Sequence, residues 1–222
     1  MTVHDVARVL PDIAVLRNLC RSMAMVEAVL NPDGERCYSF NTDWSETEEL
    51  ASMSNGSGDE FDVVFSSAGA YIRGFDHESP LSPYGYDDVP VPWPGVVDSV
   101  PDVFRNLVDE PAFCDEDGTP VVTACLWRRT GDERWQAGDV DFPEGHPDPD
   151  GSTWLFELLV APTPEAFQAF AEDYYETPVA IEAVRRIYDL RPLGPAEVAG
   201  LNPRASWGDV VEVAESIGYP LV

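Results

Sequence analysis

Three stretches of this chain bring together residue types able to do chemistry. The first is Asp76-His77-Glu78, which closes "SMSNGSGDEFDVVFSSAGAYIRGFDHES" (residues 52–79). An imidazole beside a carboxylate is suited to proton transfer near neutral pH. Neighbours in an extended chain face opposite ways, so the three converge only if the chain turns, and Ser79-Pro80 is a turn signal. Equally, Asp76 or Ser79 would cap a local turn while His77 bonds to backbone.

The second stretch, "HPDPDGSTWLFE" (residues 146–157), follows the calcium-loop pattern D-x-D-x-D-G-x5-E except at its first place. Asp148, Asp150 and Glu157 take three ligand positions and Gly151 the turn. His146 stands where a hard cation wants a carboxylate, two prolines stiffen the loop, and Asp-Pro-Asp-Gly is also ordinary turn chemistry. The third feature is a pair of acidic clusters holding aromatics. "DWSETEE" contains Trp44 and Glu48, and "DEPAFCDEDG" contains Phe113. With Asp59, Glu60, Asp76 and Glu78, Trp44 and Glu48 form the candidate partner-binding set, since aromatics anchor interfaces and charge steers approach. A solvated acidic turn explains either cluster alone.

The charge is the unusual number. The 222 residues hold 41 acids, 13 arginines and no lysine, a formal −28. Residues 1–110 carry 6 arginines and 20 acids, and 111–222 carry 7 and 21, so each half is −14. Such a field repels nucleic acid and anionic membranes and speeds encounter with basic partners; salt adaptation would produce the same composition. Without lysine there is no P-loop lysine, no Schiff base and no Ser-Lys nucleophile pair, so "SNGSGDE" is no nucleotide loop. G-x-S-x-G and H-E-x-x-H are also absent. Cys20, Cys37, Cys114 and Cys125 lack zinc-framework spacing and read as reduced thiols. No apolar run reaches the ~18 residues of a membrane helix, and the first twenty residues lack a secretion signal's basic start and apolar core, so a cytoplasmic location is expected.

The elements that must position these residues read as α+β. Residues 11–30 have helical apolar spacing, stopped by Asn31-Pro32-Asp33-Gly34. "RCYSFN" reads as a strand and "DWSETEELASM" as a short helix with Ser45 and Glu48 in capping-box spacing. "FDVVF" and "AYIRGF" form a hairpin, "TPVVTACLWRR" and "RWQAGDVDF" a second, and "STWLFELLV" a further strand. Between the hairpins lie a proline-rich crossing loop over 80–101 and a short helix in "DSVPDVFRNLV". From about residue 162 the pattern turns helical, with prolines at helix starts. The expectation is one domain over 1–222, with an N-terminal helix, a mainly antiparallel sheet of about five or six strands, and a C-terminal helical region.

"MSNGSGDEFDVVFSSAGAYIRGFDHES", "PAFCDEDGTPVVTACLWRRTGDERWQAGDVDFP" and "LNPRASWGDVVEVAESIGYP" resemble a family of uncharacterised bacterial proteins, over about Pro11 to Pro220. In general character the chain is also similar to the immunity proteins that neutralise polymorphic toxins, the SUKH superfamily above all, though no diagnostic SUKH motif stands in it. The likeness assigns no residue roles. It implies a non-catalytic binding protein that occludes a basic toxin or nuclease, with no cofactor. Two alternatives stand beside it: a nucleic-acid mimic that occupies a DNA-binding protein, and a small hydrolase or metal-dependent enzyme using His77 with Asp76 or Glu78, or a divalent cation in the loop from His146 to Glu157.

Overall fold

The computed structural model describes residues 1–32, 34–85 and 89–222. Asp33 of the expected helix stop and positions 86–88 of the proline-rich loop lie outside them. Six strands form one sheet in chain order: β1 (Tyr38–Asn41), β2 (Glu49–Ser54), β3 (Glu60–Ser66), β4 (Gly69–Phe75), β5 (Ala124–Arg129) and β6 (Gln136–Ala137). With helices before and after the strands, the fold is α+β. No helix among the described residues is long and apolar enough to cross a membrane. The chain divides into two compact units, Met1–Ile13 with Ser54–Glu157, and Ala14–Met53 with Leu158–Val222.

The first unit is built on the β3–β4 hairpin. Ser66 pairs with Gly69 across the two-residue turn Ser67-Ala68. Gly69 has φ +141, and a Cβ there would lie 2.1 Å from the Arg128 carbonyl oxygen on β5, so only glycine fits. Every residue of β4 is buried, as expected of a strand covered on both faces. Inside this apolar run sits Arg73, 3% exposed and in register with Asp62. Its Nε donates to Asp62 Oδ2 at 2.9 Å, its Nη2 to Glu60 Oε1 at 2.5 Å and its Nη1 to the Val121 carbonyl at 2.7 Å, and its guanidinium lies 5.0 Å from the Phe113 ring. Removing one member of such a group leaves a buried charge alone, at about 3–5 kcal/mol.

Two expectations need correcting, and one helix goes beyond them. The helix read in "DWSETEELASM" is a turn followed by β2. Ser45 and Glu48 do bond, at 3.0 Å, but they close the β1–β2 connection instead of opening a helix. Alternation decides it, because Ala51 and Met53 are buried while Leu50, Ser52 and Ser54 are not. The strand read in "STWLFELLV" is two short helices, α4 (Ser152–Leu155) and α5 (Glu157–Val160). Buried Leu155, Leu158 and Leu159 recur at three and four residues, a period hidden inside a continuous apolar run. Finally, α1 (Val3–Val9) was not anticipated. Asp5 Oδ2 accepts from the Thr2 amide at 3.0 Å to start it, and Val3 and Val6 are buried. A short helix, α3 (Arg105–Val108), follows the proline-rich loop as expected.

The second unit surrounds α2 (Ile13–Leu30), buried almost continuously from Leu19 to Val29. The C-terminal helices are α6 (Pro164–Tyr175), α7 (Ile181–Tyr188), α8 (Pro195–Leu201) and α9 (Trp207–Ile217). Thr163 caps α6 through the Ala166 amide, and Pro164 occupies its first turn. Asn202 closes α2 by donating to the Val29 and Leu30 carbonyls at 2.9 and 3.2 Å.

Within α2, Glu27 is fully buried. Its Oε2 accepts from the Cys37 amide at 3.0 Å and from the Tyr175 hydroxyl, while its Oε1 has no partner among the described residues. Burial pushes this carboxyl up to about 7, against the pull of those hydrogen bonds. Glu27 therefore holds its proton in the folded chain to a higher pH than in the unfolded one. Its contribution is complete below the ordinary value of 4.5 and is lost as pH climbs through about 7. Glu27→Gln should gain stability relative to the parent as pH rises through that window, measured by denaturant unfolding at a series of pH values.

Candidate functional site

The β3–β4 register sets Glu60 opposite Phe75, so the segments just outside the pair, 54–59 and 76–79, lie side by side. The first is held by its own side chains. Asn55 Oδ1 accepts from the Ser57 amide at 2.8 Å and the Asp59 amide at 3.2 Å, and Asn55 Nδ2 donates to Asp59 Oδ2 at 2.7 Å. Asp59, 5% exposed, turns its other oxygen to His77, accepting from the His77 amide at 2.9 Å and meeting Nδ1 at 2.6 Å. A carboxylate only accepts, so Nδ1 carries the proton and the neutral ring keeps its lone pair on Nε2. The His77 side chain is 46% exposed.

Burial favours neutral Asp59, but the His77 amide, the His77 ring and Asn55 outweigh it and hold the carboxyl below its ordinary value. The same bond raises His77 above its ordinary 6.5, with smaller help from the charges of Asp59, Glu78 and Asp76.

Asp76 stands on the other side. Its Oδ1 accepts from the Glu78 amide at 2.9 Å and its Oδ2 from the Trp154 indole at 3.3 Å. Gly151 makes room for it: a Cβ there would lie 2.4 Å from Asp76 Cβ, and its φ of +75 is also glycine's. The Ser79 hydroxyl donates to the Pro149 carbonyl at 2.6 Å, and the Thr123 hydroxyl to the Asp150 carbonyl at 2.9 Å. The two candidate stretches thus dock on each other. One ligand atom each from Asp59, Asp76 and His77 lie within 4.8 Å of one another, the one cluster of possible metal donors among the described residues.

The calcium-loop residues have other work. Asp150, fully buried, accepts from the Val3 amide at 2.8 Å and the Ser152 amide at 3.0 Å, joining α1 to α4. Asp148 caps α4 through the Thr153 amide at 3.0 Å, and Glu157 is an exposed residue opening α5. His146 is exposed. Of the partner-binding set, Asp59 is buried under His77, Glu60 is bonded to Arg73, and Trp44 and Glu48 sit in the β1–β2 turn of the second unit. Asp76 and Glu78 remain at the surface.

Trp154 was missed. It is 38% exposed, it hydrogen-bonds Asp76, and it was hidden in a run read as strand. A tryptophan straight after Gly-Ser-Thr, at the edge of an apolar run, was the available signal. The thiols offer no activated nucleophile: burial pushes Cys20 and Cys125 up to about 12 and raises Cys37 and Cys114. Among the described residues no hydroxyl or thiol bonds the His77 ring. Comparison with protein-family models, with curated proteins and with solved structures returns no match.

An NMR titration of the His77 ring should show a midpoint above 6.5. Asp59→Asn should lower it towards or below that value, because the amide takes away both the charge and the acceptor oxygen's strength. An unchanged midpoint would contradict the pairing.

Proposed function

We propose that this chain is a non-catalytic, acidic binding protein of the immunity type, acting in the cytoplasm by occluding the basic groove of a toxin or nuclease. The observation that carries the reading is Trp154, an exposed indole that donates to Asp76, with His77 and Glu78 following Asp76 in the chain and Asp148 bonded to the Thr153 amide beside Trp154, on a chain of formal charge −28. An aromatic anchor whose rotamer is fixed before contact loses little entropy on binding, and a rim of carboxylates complements arginines and lysines. The wider field draws a basic partner in, so charge governs the rate of capture and the anchor its duration. Asp59 contributes from beneath, by fixing the orientation of the His77 ring and raising its pKa above 6.5.

The test begins with the tagged protein in its own lysate. A basic protein should be retained at moderate salt and released at high salt. Trp154→Ala should then weaken the purified complex roughly 10- to 100-fold with the thermal midpoint of the free protein nearly unchanged. Equal affinity of the variant and the parent, or a partner that is not basic, would contradict the proposal.

Divalent-cation binding is the second reading, favoured by the donor atoms of Asp59, Asp76 and His77 within 4.8 Å. Two carboxylates and an imidazole suit a borderline metal such as zinc. A metal entering between Asp59 and His77 must displace the proton they share, so affinity should rise with pH. Zinc added to the apo-protein should shift the His77 ring signals, more strongly at higher pH, and Asp59→Asn should abolish the shift. Signals indifferent to zinc would remove this reading.

A further inference from the structure

We propose that a pocket in the first unit, between α1 and the β5–β6 turn, binds a small organic anion carrying two or more negative charges, a dicarboxylate or a phosphate monoester. The proposal goes beyond the binding role above and uses none of its residues, so its failure would leave that reading untouched.

The cavity measures about 600 Å³, a size suited to a small metabolite. Its charge is what singles it out. The chain as a whole has 41 acids to 13 arginines, yet this lining holds Arg8, Arg128 and Arg134 against Glu133 alone. The ratio of about three acids to one base is inverted in this lining. Asp5 bonds Arg8 at 2.6 Å and offsets that one arginine, and Asp132 bonds Arg129, outside the lining, at 3.1 Å, so the surplus rests on Arg128 and Arg134 against Glu133.

Two guanidinium groups are left with capacity. Arg128 uses its Nε on the Asp132 carbonyl at 3.0 Å, which fixes the plane of the group, and its two terminal nitrogens have no partner among the described residues. Arg134 is exposed and has no hydrogen bond or ion pair among them. A guanidinium fork meets carboxylate and phosphate oxygens in pairs, and a forked group held in plane loses less entropy on doing so.

The walls are rigid where they need to be. Trp135 is buried with its indole donating to the Pro11 carbonyl at 2.7 Å. His4 is fixed by Nε2, which must carry the proton, since it meets the Gly138 carbonyl at 2.8 Å. Leu10 and Ala7 give an apolar side for a carbon skeleton. The protein's overall field repels anions, but it is screened over about 8 Å at physiological salt, so within the pocket the local arginines decide.

Calorimetric titration with succinate and with glycerol 3-phosphate tests the idea, with glycerol as the uncharged control. At least one of the two anions should bind and glycerol should not; which one binds tells carboxylate from phosphate. Arg128→Gln and Arg134→Gln should each weaken binding by about tenfold. Arg191→Gln, an exposed site in the other unit with the same change in net charge, should leave it unaltered. Arg134 has no partner to lose among the described residues, so its variant keeps the test valid if Arg128→Gln misfolds. No heat from either anion, or an equal loss in Arg191→Gln, would overturn the proposal.

Discussion

Cations are the scarce component of this molecule. Thirteen arginines, with no lysine, face 41 carboxylates, so most buried acids must be held by other groups: among the described residues Asp62 has an arginine, while Glu27, Asp59 and Asp150 do not. Arg73 permits Asp62 and Glu60 to stand on the central hairpin of the first unit. In the second unit, Arg17 grips Glu49 at the start of β2, with Arg21 behind it at 3.9 Å and lying 5.4 Å from the Phe40 ring. Arg185 joins α6 to α7 through Glu165. Acids not served by arginine are tied to amides, as Asp150 and Asp148 are, or carry a raised pKa, as Glu27 does. Exposed carboxylates among the described residues, such as Glu78 and Glu157, repel like charges around them, a cost to the compact state that screening by salt reduces.

That constraint shapes the candidate site as well. No arginine serves Asp59; the His77 amide and ring nitrogen bond it instead, which lets a nearly buried carboxylate exist beside the hairpin. Asp76, by contrast, is stabilised by an amide and an indole, so its charge is available at the surface together with Glu78. The site's fixed groups present an aromatic side chain and acids outward, and the imidazole is braced by Asp59 with no nucleophile bonded to it among the described residues.

The central hairpin was legible because two β-type runs flank a short glycine-bearing turn, and α2 and α6 to α9 because their apolar period and proline starts are local signals. β2 was lost when Ser45 and Glu48, at a helix-capping spacing, turned out to close a turn. The helices α4 and α5 were lost because "WLFELLV" is apolar throughout, which conceals its period. At the site, His77 and Asp76 could be picked out by residue type. The role of Asp59 could not: it depends on the hairpin register bringing residues 18 apart into contact, and in sequence Asp59 was one acid among many. Asp148, Asp150 and Gly151 matched a cation-loop spacing for a different physical reason. The same short-range geometry that wraps an ion also caps a helix and turns a chain.

The claim that matters most is that the acids around Trp154 form the face that meets a basic partner. Carbodiimide coupling of the complex addresses it directly, because it joins carboxylates to amines and this chain has no lysine amine of its own. Mapping the coupled residues by mass spectrometry should place partner lysines on Asp76, Glu78 and Asp148. Couplings concentrated on another face, or scattered evenly over the carboxylates, would contradict the account.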